Sequence, residues 1–323
     1  PESEPNDLVL HVRMLDNDNQ LQQQAIGVLG VNMVYAAYYY QDQPEVLVQS
    51  LLDGLKGRIA VDTCILNGRD FKVDNRLLSL YLVKNEMLYR KAIMVVRGSY
   101  RPTTLVNEDM LKTSYAQFRA ESDADPSKYA LLTELTLSNL QKGAEIDERD
   151  FLDRARLLNA LGHTVLLSNY GEYNQLIEYF AQYKASKIGI AVGVQELLQI
   201  ITEKYAHNKD GRILAAFGEI FTRHVKMYVY PAQQEGSPEL ITGSKLPVLE
   251  EVKFLYRHLL DSGQIVDIKN ANHQLLHIYS KDVLADIRAG HDGWEAKVSD
   301  EVARIVKSQY LFSYPTEKLI FNY

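Results

Sequence analysis

The sequence predicts an α/β fold with two lobes, the C-terminal one Rossmann-like, with a mainly parallel sheet flanked by helices. In the C-terminal half, segments long enough for helices alternate with four short apolar segments, TVLLS, KIGIAV, VKMYVY and QIVDI. Such alternation is typical of parallel sheets whose strands are joined by helices. The 323 residues suffice for two domains. We therefore expect an N-terminal α/β lobe over residues 1–145 and the Rossmann-like lobe over residues 146–323.

The N-terminal lobe opens with a long helix and continues with two strands. The capping sequence DNDN precedes NQLQQQAIGVLGVNMVYAAYYY, in which apolar residues recur at three- and four-residue spacing and Gly27 and Gly30 suit close helix packing. RIAVDTCIL and KAIMVVRGSY are rich in β-branched residues and predict strands. Residues 110–140 are predicted to be helical, with an interruption at the acidic turn around Pro126.

Composition excludes several classes of protein. A net charge of -7 argues against nucleic acid as the main partner, since phosphate binding needs a basic face. The single cysteine, Cys64, excludes a disulfide framework and a cysteine-based zinc site, which fits a reducing compartment. No apolar run approaches the roughly 18 residues that span a bilayer. We therefore expect a cytoplasmic protein with no membrane span.

The strand TVLLS is followed at once by a glycine turn and a helix, and so is the next strand, KIGIAV. Helix N-termini at strand ends present free N–H groups that suit phosphate, and two such turns side by side would form a ligand crevice. No dinucleotide or P-loop fingerprint is present, and simple turn glycines with a capping Asn explain the same pattern. The residues predicted to line the crevice are Ser168, Asn169, Gly171, Glu172 and Gly193.

Two further groups of charged residues are candidates for the same ligand. Arg97 and Arg101 flank a Gly-Ser turn at a strand end and could clamp an anion, or they could be solvated arginines. Asp62 and Asp74 could hold Mg²⁺ with a phosphate ligand, although Asp74 equally suits a helix cap. Nothing in the sequence identifies a general base.

Several passages resemble a family of bacterial proteins, found in proteobacteria and cyanobacteria. The passages are LQQQAIGVLGVNMVYAAYY, VDNRLLSL, VVRGSYRPTT and GRILAAFGEIFTRHVKMYVYP. Members of the family carry the labels nicotinate-nucleotide adenylyltransferase or TonB-dependent receptor. The resemblance runs through almost the whole chain, and it implies a fold and no catalytic residues.

Both labels can be compared with the residues. The receptor label implies many alternating strands and a signal peptide, which the sequence pattern disfavours. Nicotinate-nucleotide adenylyltransferases place a Gly-x-x-x-x-x-His-x-Gly-His motif directly after their first strand and a Ser/Thr-x-x-Arg motif near the far end of the domain. In this chain Gly162 and His163 precede their strand, so the adenylyltransferase label also lacks its motif there.

Two functions from different classes follow. The first is binding of a small phosphorylated or nucleotide-like ligand in the strand-end crevice, with phosphate-group or nucleotidyl transfer as the reaction class if the protein is an enzyme. The alternative is a non-catalytic scaffold or assembly protein that uses tyrosine-rich helices as a partner surface, homo-oligomers included. A filled crevice, together with an exposed patch at Tyr35, Tyr38, Tyr39 and Tyr40, would favour the scaffold.

Overall fold

The structure has an α/β fold with a mainly parallel sheet flanked by helices, as the sequence predicts. It is a computed structural model that describes residues 7–15, 17–39, 50, 54–55, 58–67, 88–121, 125–136, 148–168, 170–207, 213–221, 224–233 and 239–315. In these ranges the strands are β1 (Asp7–Met14), β2 (Ile59–Asn67), β3 (Ala92–Arg97), β4 (Tyr129–Thr136), β5 (Val165–Ser168), β6 (Lys187–Gly193), β7 (Val225–Tyr230), β8 (Ala232–Gln233), β9 (Leu240–Ile241) and β10 (Ile265–Asp267). The helices are α1 (Asn19–Tyr39), α2 (Leu105–Ala120), α3 (Glu148–Ala160), α4 (Tyr173–Gln182), α5 (Val194–His207), α6 (Ile213–Ile220), α7 (Lys253–Asp261), α8 (Ser280–Ala289) and α9 (Asp300–Gln309).

Two compact units make up the chain, and each is assembled from separate segments. The first comprises Pro1–Asn85, Thr133–Gly171 and Glu301–Tyr323, and the second comprises Glu86–Leu132 and Glu172–Asp300. Strand β4 contributes residues to both units. The lobes expected over residues 1–145 and 146–323 stay a prediction.

The strands of the first unit follow the order β1-β2-β5-β4. β2 is antiparallel to both of its neighbours, with Thr63 opposite Ser168 on the β5 side. β4 and β5 are parallel and are joined through α3. α3 packs against β5 and against the segment 311–313, where the Phe312 backbone N–H donates a 2.7 Å hydrogen bond to the Asp153 carboxylate. This unit thus combines an antiparallel edge with one strand-helix-strand unit.

The second unit has the Rossmann-like arrangement. Its strands follow the order β3-β6-β7-β10, and each neighbouring pair is parallel. α5 and α6 connect β6 to β7, and α7 precedes β10. Every residue of β3 is buried, as are the five central residues of β6, which is the continuous apolar pattern of parallel strands covered on both faces.

A close approach between α2 and β6 fixes one face of this sheet. A Cβ atom built on Gly189 would lie 2.9 Å from the Phe118 ring and 3.0 Å from the Met94 sulfur, so only glycine fits there without a shift of its neighbours. The Phe118 ring also meets the rings of Tyr129 and Tyr228 edge-on, with centroids 5.8 and 5.9 Å apart. The C-terminal part of α2 is thereby held against β6.

The strands predicted in the C-terminal half are confirmed as β5, β6, β7 and β10. The prediction of helix over residues 110–140 is wrong for its second part, because α2 ends at Ala120 and residues 129–136 form β4. Thr133 to Thr136 pair in parallel with β5, and all but two residues of β4 are buried. Pairing and burial therefore override the helix-forming Leu and Glu residues of this segment.

Candidate ligand site

A charged contact lies at the carboxyl ends of β3 and β6 in the second unit. Arg97, the last residue of β3, is buried, and its guanidinium carbon lies 4.2 Å from the ring centre of Tyr173, the first residue of α4. The Tyr173 hydroxyl donates a 2.5 Å hydrogen bond to Glu196 in the first turn of α5. A cation over an aromatic face is stabilising, and more so when it is desolvated. Three elements are thus tied together at one end of the sheet.

The loop from β3 to α2 is tightly built. The Tyr100 hydroxyl donates a 2.8 Å hydrogen bond to the Val96 carbonyl, and a Cβ on Gly98 would lie 3.0 Å from the Tyr100 ring. The peptide bond between Arg101 and Pro102 is cis. The chain therefore enters α2 from a compact turn in which Arg101 is half-buried.

Helix α2 begins with a capping box. Thr104 is its N-cap residue, and the Asn107 side-chain oxygen accepts hydrogen bonds from the Thr104 N–H at 2.9 Å and from the Thr104 hydroxyl at 3.0 Å. Thr103, one residue earlier, is fully buried, and its hydroxyl has no hydrogen-bond partner in the structure as described. Buried hydroxyls ordinarily have partners, so a water or ligand atom would complete this one.

The loop lacks the histidines of the adenylyltransferase motif. Counting from Gly98, the positions of the first His, the Gly and the second His hold Thr104, Val106 and Asn107. The segment follows a buried strand and opens a helix, but only the first glycine of the motif's fixed residues is present in it.

Ser280 lies beside the start of α2. It begins α8, and its hydroxyl oxygen lies 3.5 Å from the Asn107 side-chain oxygen. Val283, three residues after Ser280, is fully buried and stands where a Ser/Thr-x-x-Arg pattern that starts at Ser280 would have arginine. The pattern is therefore absent at this position.

Acidic side chains of α2 bind other parts of the same unit. The Asp109 carboxylate accepts hydrogen bonds from the Tyr230 hydroxyl at 2.6 Å and from the Asn272 backbone N–H at 2.8 Å. Glu108 accepts one from the Ser299 hydroxyl at 2.7 Å. Burial, and then the bond to Asp109, raise the pKa of the Tyr230 hydroxyl far above its usual range. This part of the strand-end edge is therefore filled by the chain's own side chains.

Open space remains beside Gly193, the last residue of β6, where a built Cβ atom would meet nothing within 4 Å. Gly193 directly precedes α5, and the backbone N–H groups in the first turn of a helix have no partner within that helix. Arg97 lies at the end of the neighbouring strand β3, which pairs with β6. An anion at this end of the sheet would meet a helix start and a buried cation, with the Glu196 carboxylate held away by its hydrogen bond from Tyr173 as the opposing charge.

The predicted crevice residues do not all lie in one unit. Ser168 and Gly171 belong to the first unit, whereas Glu172, Gly193 and the two arginines belong to the second, and Asn169 lies outside the described residues. The prediction that β5 and β6 lie side by side is wrong, because β5 pairs with β2 and β4 whereas β6 pairs with β3 and β7. Ligand binding at these positions stays a prediction.

The hydrogen-bond partner of Ser168 is a carboxyl group, which disfavours an anion beside it. Its hydroxyl donates a 2.5 Å hydrogen bond to Glu134 on the neighbouring strand β4, and both side chains are buried. The Thr136 hydroxyl, close by on the same strand, donates to the Tyr170 carbonyl at 3.4 Å. A carboxyl group here disfavours phosphate at the end of β5, and sequence reasoning missed Glu134 because it assigned this segment to a helix.

The predicted metal residues remain untested. Asp62 lies in β2, and Asp74 lies outside the described residues. Among the residues that the structure describes, no group of three or more His, Cys, Asp or Glu side chains could hold a metal ion. Mg²⁺ together with a phosphorylated ligand stays a prediction.

A second polar cluster lies at the opposite ends of the strands. Glu121, which caps the C-terminus of α2, accepts hydrogen bonds from Lys187 at 2.5 Å, from Lys226 at 2.9 Å and from the Tyr228 hydroxyl at 2.7 Å. Burial alone would raise the pKa of the Glu121 carboxyl, but the hydrogen bonds from both lysines and Tyr228 hold that pKa below its usual range. Lys187 is the first residue of β6, so this cluster stabilises the sheet away from the ligand site.

Comparisons with known proteins give similar solved structures, among them two that carry adenylyltransferase names. No family model and no curated protein sequence matches the chain. A nicotinic acid mononucleotide adenylyltransferase of Plasmodium falciparum complexed with APC is similar at 10% identity and a TM-score of 0.39, over 70% of this chain and 98% of that one. A putative nicotinate-nucleotide adenylyltransferase of Vibrio parahaemolyticus gives 11% identity and a TM-score of 0.31, over 70% of this chain and 97% of that one. Both scores are too low to establish a common fold, so the fold class rests on the strand order and parallel pairings.

The comparisons leave the bacterial family resemblance untested. In the described ranges no helix is both long and apolar enough to cross a membrane.

Proposed function

We propose that the second unit binds a small phosphorylated or nucleotide-like ligand at the carboxyl ends of β3 and β6, and that it does not catalyse adenylyl transfer. The observation that carries the proposal is the contact between Thr104 and Asn107. These residues occupy the two histidine positions of the motif spacing, and the Asn107 side chain is bound within a helix cap instead of facing a reacting phosphate. Neither side chain is a cation at neutral pH, so neither can neutralise developing phosphate charge.

Three features support binding at this place. Arg97 supplies a buried positive charge, and its ring contact holds it in one orientation. The space beside Gly193 is open to a ligand at the start of α5. The buried hydroxyl of Thr103 lacks a partner where α2 begins. Together they offer a cation, helix N–H groups and a hydroxyl donor, which are the groups that bind phosphate in proteins.

The absence of transfer chemistry is supported by the far motif as well. Val283 stands where the Ser/Thr-x-x-Arg pattern has arginine, and a buried valine cannot bind a phosphate oxygen. Glu108 and Asp109, the two carboxylates that follow Asn107 in sequence, are held by Ser299 and by Tyr230 with Asn272, respectively. A ligand can therefore be held without the groups that would move a nucleotidyl group.

The first experiment is a thermal-shift screen of the full chain with ATP, AMP, nicotinate mononucleotide and ribose 5-phosphate, each with and without Mg²⁺. A ligand that binds only the native state at 100 times its Kd stabilises that state by about 2.7 kcal/mol. We expect a shift with at least one phosphorylated compound. No shift with any of them at millimolar concentration would contradict the proposal.

A matched pair of variants locates the site. Gly193→Leu fills the open space at the end of β6 and should abolish the shift, whereas Gly218→Leu, at a helical glycine that also has nothing within 4 Å, should preserve it. The transfer assay uses ATP with nicotinate mononucleotide and measures pyrophosphate. Turnover by the wild type would refute the non-catalytic part of the proposal while leaving the binding part intact.

A scaffold role is the second candidate function, and the surface of α1 favours it. Tyr35, Tyr38 and Tyr39 are exposed, while Tyr40 lies outside the described residues. Filling of the strand-end edge by Asp109 and Tyr230 also agrees with the scaffold alternative. Binding and assembly use different surfaces of the chain, so each has its own test.

A further inference from the structure

Helix α1 carries an exposed apolar stripe. A groove of about 640 Å³ runs along it. The residues that line the groove are Ile26, Gly27, Gly30, Val31, Val34, Tyr35, Tyr38 and Tyr39. The six large side chains in this set are between 47% and 75% exposed. The set consists of two rows in which a residue recurs every four positions, so that both rows follow one side of the helix.

The opposite face of α1 is also apolar and is already covered. Ala25 and Ala36 are fully buried, and they lie three turns apart on one side of the helix. The 21 residues of α1 include no Asp, Glu, Lys or Arg. A helix that is apolar all round is ordinarily buried all round, whereas α1 has one buried face and one exposed apolar face.

The exposed stripe is complementary to itself when two copies run antiparallel. A twofold axis that passes between residues 32 and 33 would pair the two helices symmetrically about that point. Gly27 of one copy would then face Tyr38 of the other, and Gly30 would face Tyr35. Neither glycine has any atom within 4 Å of a built Cβ, so each leaves a hole beside the helix. Each large tyrosine ring therefore meets a hole. Val31 and Val34 face each other at the centre.

The size of the stripe matches a dimer interface. Three half- to three-quarter-exposed tyrosines and three exposed aliphatic side chains present on the order of 700 Å² per copy. A stable interface typically buries about 800 Å² on each partner. Because the stripe carries no charge, pairing two copies brings no like charges together. A closed twofold contact of this kind uses one surface on both copies.

We propose that α1 is a homodimerisation helix, which pairs antiparallel with α1 of a second copy through the stripe from Ile26 to Tyr39. The tyrosine hydroxyls lie at the rim of the contact, where water can reach them, while the rings cover the glycines. This interface is independent of the ligand site in the second unit.

Sedimentation velocity of the full chain between about 1 and 100 μM tests the proposal; complexes with interfaces of this size span micromolar to tighter Kd values. We expect a dimer, and we expect Val34→Glu to raise the dimer Kd at least tenfold or to abolish the dimer. Phe254→Glu, at an 85% exposed phenylalanine of α7, is the matched control and should sediment as the wild type does. Val34 is 74% exposed, so the charge costs the folded monomer little, and circular dichroism verifies this.

A cysteine experiment tests the antiparallel register, in a Cys64→Ser background. A mixture of the Gly27→Cys and Tyr38→Cys proteins should form a disulfide-linked dimer under mild oxidation. Neither protein alone should do so, because residue 27 of one copy would face residue 38 of the other copy and would lie far from its own counterpart. Efficient cross-linking of Gly27→Cys with itself would indicate a parallel pair and refute the register.

Other outcomes would overturn the proposal itself. A wild type that stays monomeric at 100 μM, or a dimer unchanged by Val34→Glu, would show that a second copy does not cover the stripe. Flotation of the monomer with liposomes, lost in Val34→Glu, would assign the stripe to a membrane surface instead.

Discussion

The Arg97 guanidinium lies 4.2 Å from the ring centre of Tyr173, and the hydroxyl of the same tyrosine donates a 2.5 Å hydrogen bond to Glu196. One aromatic side chain thus connects a cation on β3 with a carboxylate on α5. Both connections lie at the end of the sheet where parallel α/β proteins bind ligands. The orientation of Arg97 depends on them.

Tyr173→Phe should lower the free energy of unfolding by about 1.5–3 kcal/mol, since it removes a hydrogen bond to a charged group and keeps the ring under Arg97. Tyr173→Leu removes the ring as well and should cost more. Urea denaturation measures both. If Tyr173→Phe and the wild type unfold at the same urea concentration, the bond to Glu196 contributes nothing to stability.

Two glycines of β6 should respond differently to alanine. Gly189→Ala places a methyl group 2.9 Å from the Phe118 ring and should destabilise the protein by about 1–3 kcal/mol, because the core must shift. Gly193→Ala meets open space and should be neutral within about 0.5 kcal/mol. Thermal unfolding of the pair distinguishes a tight core contact from a general requirement for glycine in this strand.

Acid should weaken the second unit through Glu121. Its pKa in the folded protein is lowered, so its stabilising contribution is complete above the unfolded value of about 4.3 and is lost as the pH falls through the folded value. The Glu121→Gln variant should therefore have a lower free energy of unfolding than the wild type at pH 7. Below a pH of about 4.3, its free energy of unfolding should fall less steeply with pH than that of the wild type. Denaturant titrations at several pH values measure the slope. An unchanged slope in the variant would assign the acid sensitivity to other carboxylates.

The buried hydroxyl of Thr103 gives a prediction that depends on ligand. In the free protein, Thr103→Val should leave stability unchanged or raise it by about 1 kcal/mol, since an unpaired buried hydroxyl is costly. If the hydroxyl completes the proposed site, the same variant should reduce the thermal shift caused by the phosphorylated ligand. Equal shifts in wild type and variant would place the ligand away from Thr103.

The cap of α2 should be worth about 1 kcal/mol. Asn107→Ala removes the acceptor of two hydrogen bonds from Thr104 and should destabilise the protein by about 0.5–2 kcal/mol. Asn107→Asp retains the acceptor and adds a charge that favours a helix N-terminus, so it should be close to neutral. If both variants lose the same free energy of unfolding, the amide nitrogen of Asn107 stabilises the protein through another contact.

The parallel strands were predictable because their sequences are short apolar runs, such as KIGIAV, bounded by glycine and helix-like segments. β4 was not, because Leu and Glu favour helices locally, and its pairing with β5 over Thr133 to Thr136 becomes visible only in the fold. The order of the strands in the sheet also could not be predicted from the sequence. Two successive strand-turn-helix segments look alike whether or not their strands are neighbours.

The candidate site was predictable only in part. Arg97 was identified from its place at a strand end, but its partners Tyr173 and Glu196 are distant in sequence and carry no motif. Thr104 and Asn107 were not predicted as site residues, because threonine and asparagine at the start of a helix are ordinary capping residues.

The segmented make-up of the two units has a consequence for synthesis. The second unit ends at residue 300, so a ribosome has delivered all of it before the segment that begins at Glu301. The first unit starts at the opposite end of the chain but must wait for that late segment, whose Phe312 N–H binds Asp153 on α3. During translation, the N-terminal segment of the first unit is therefore made before the second unit but is completed after it. Until then the buried Asp153 on α3 lacks its hydrogen bond from Phe312.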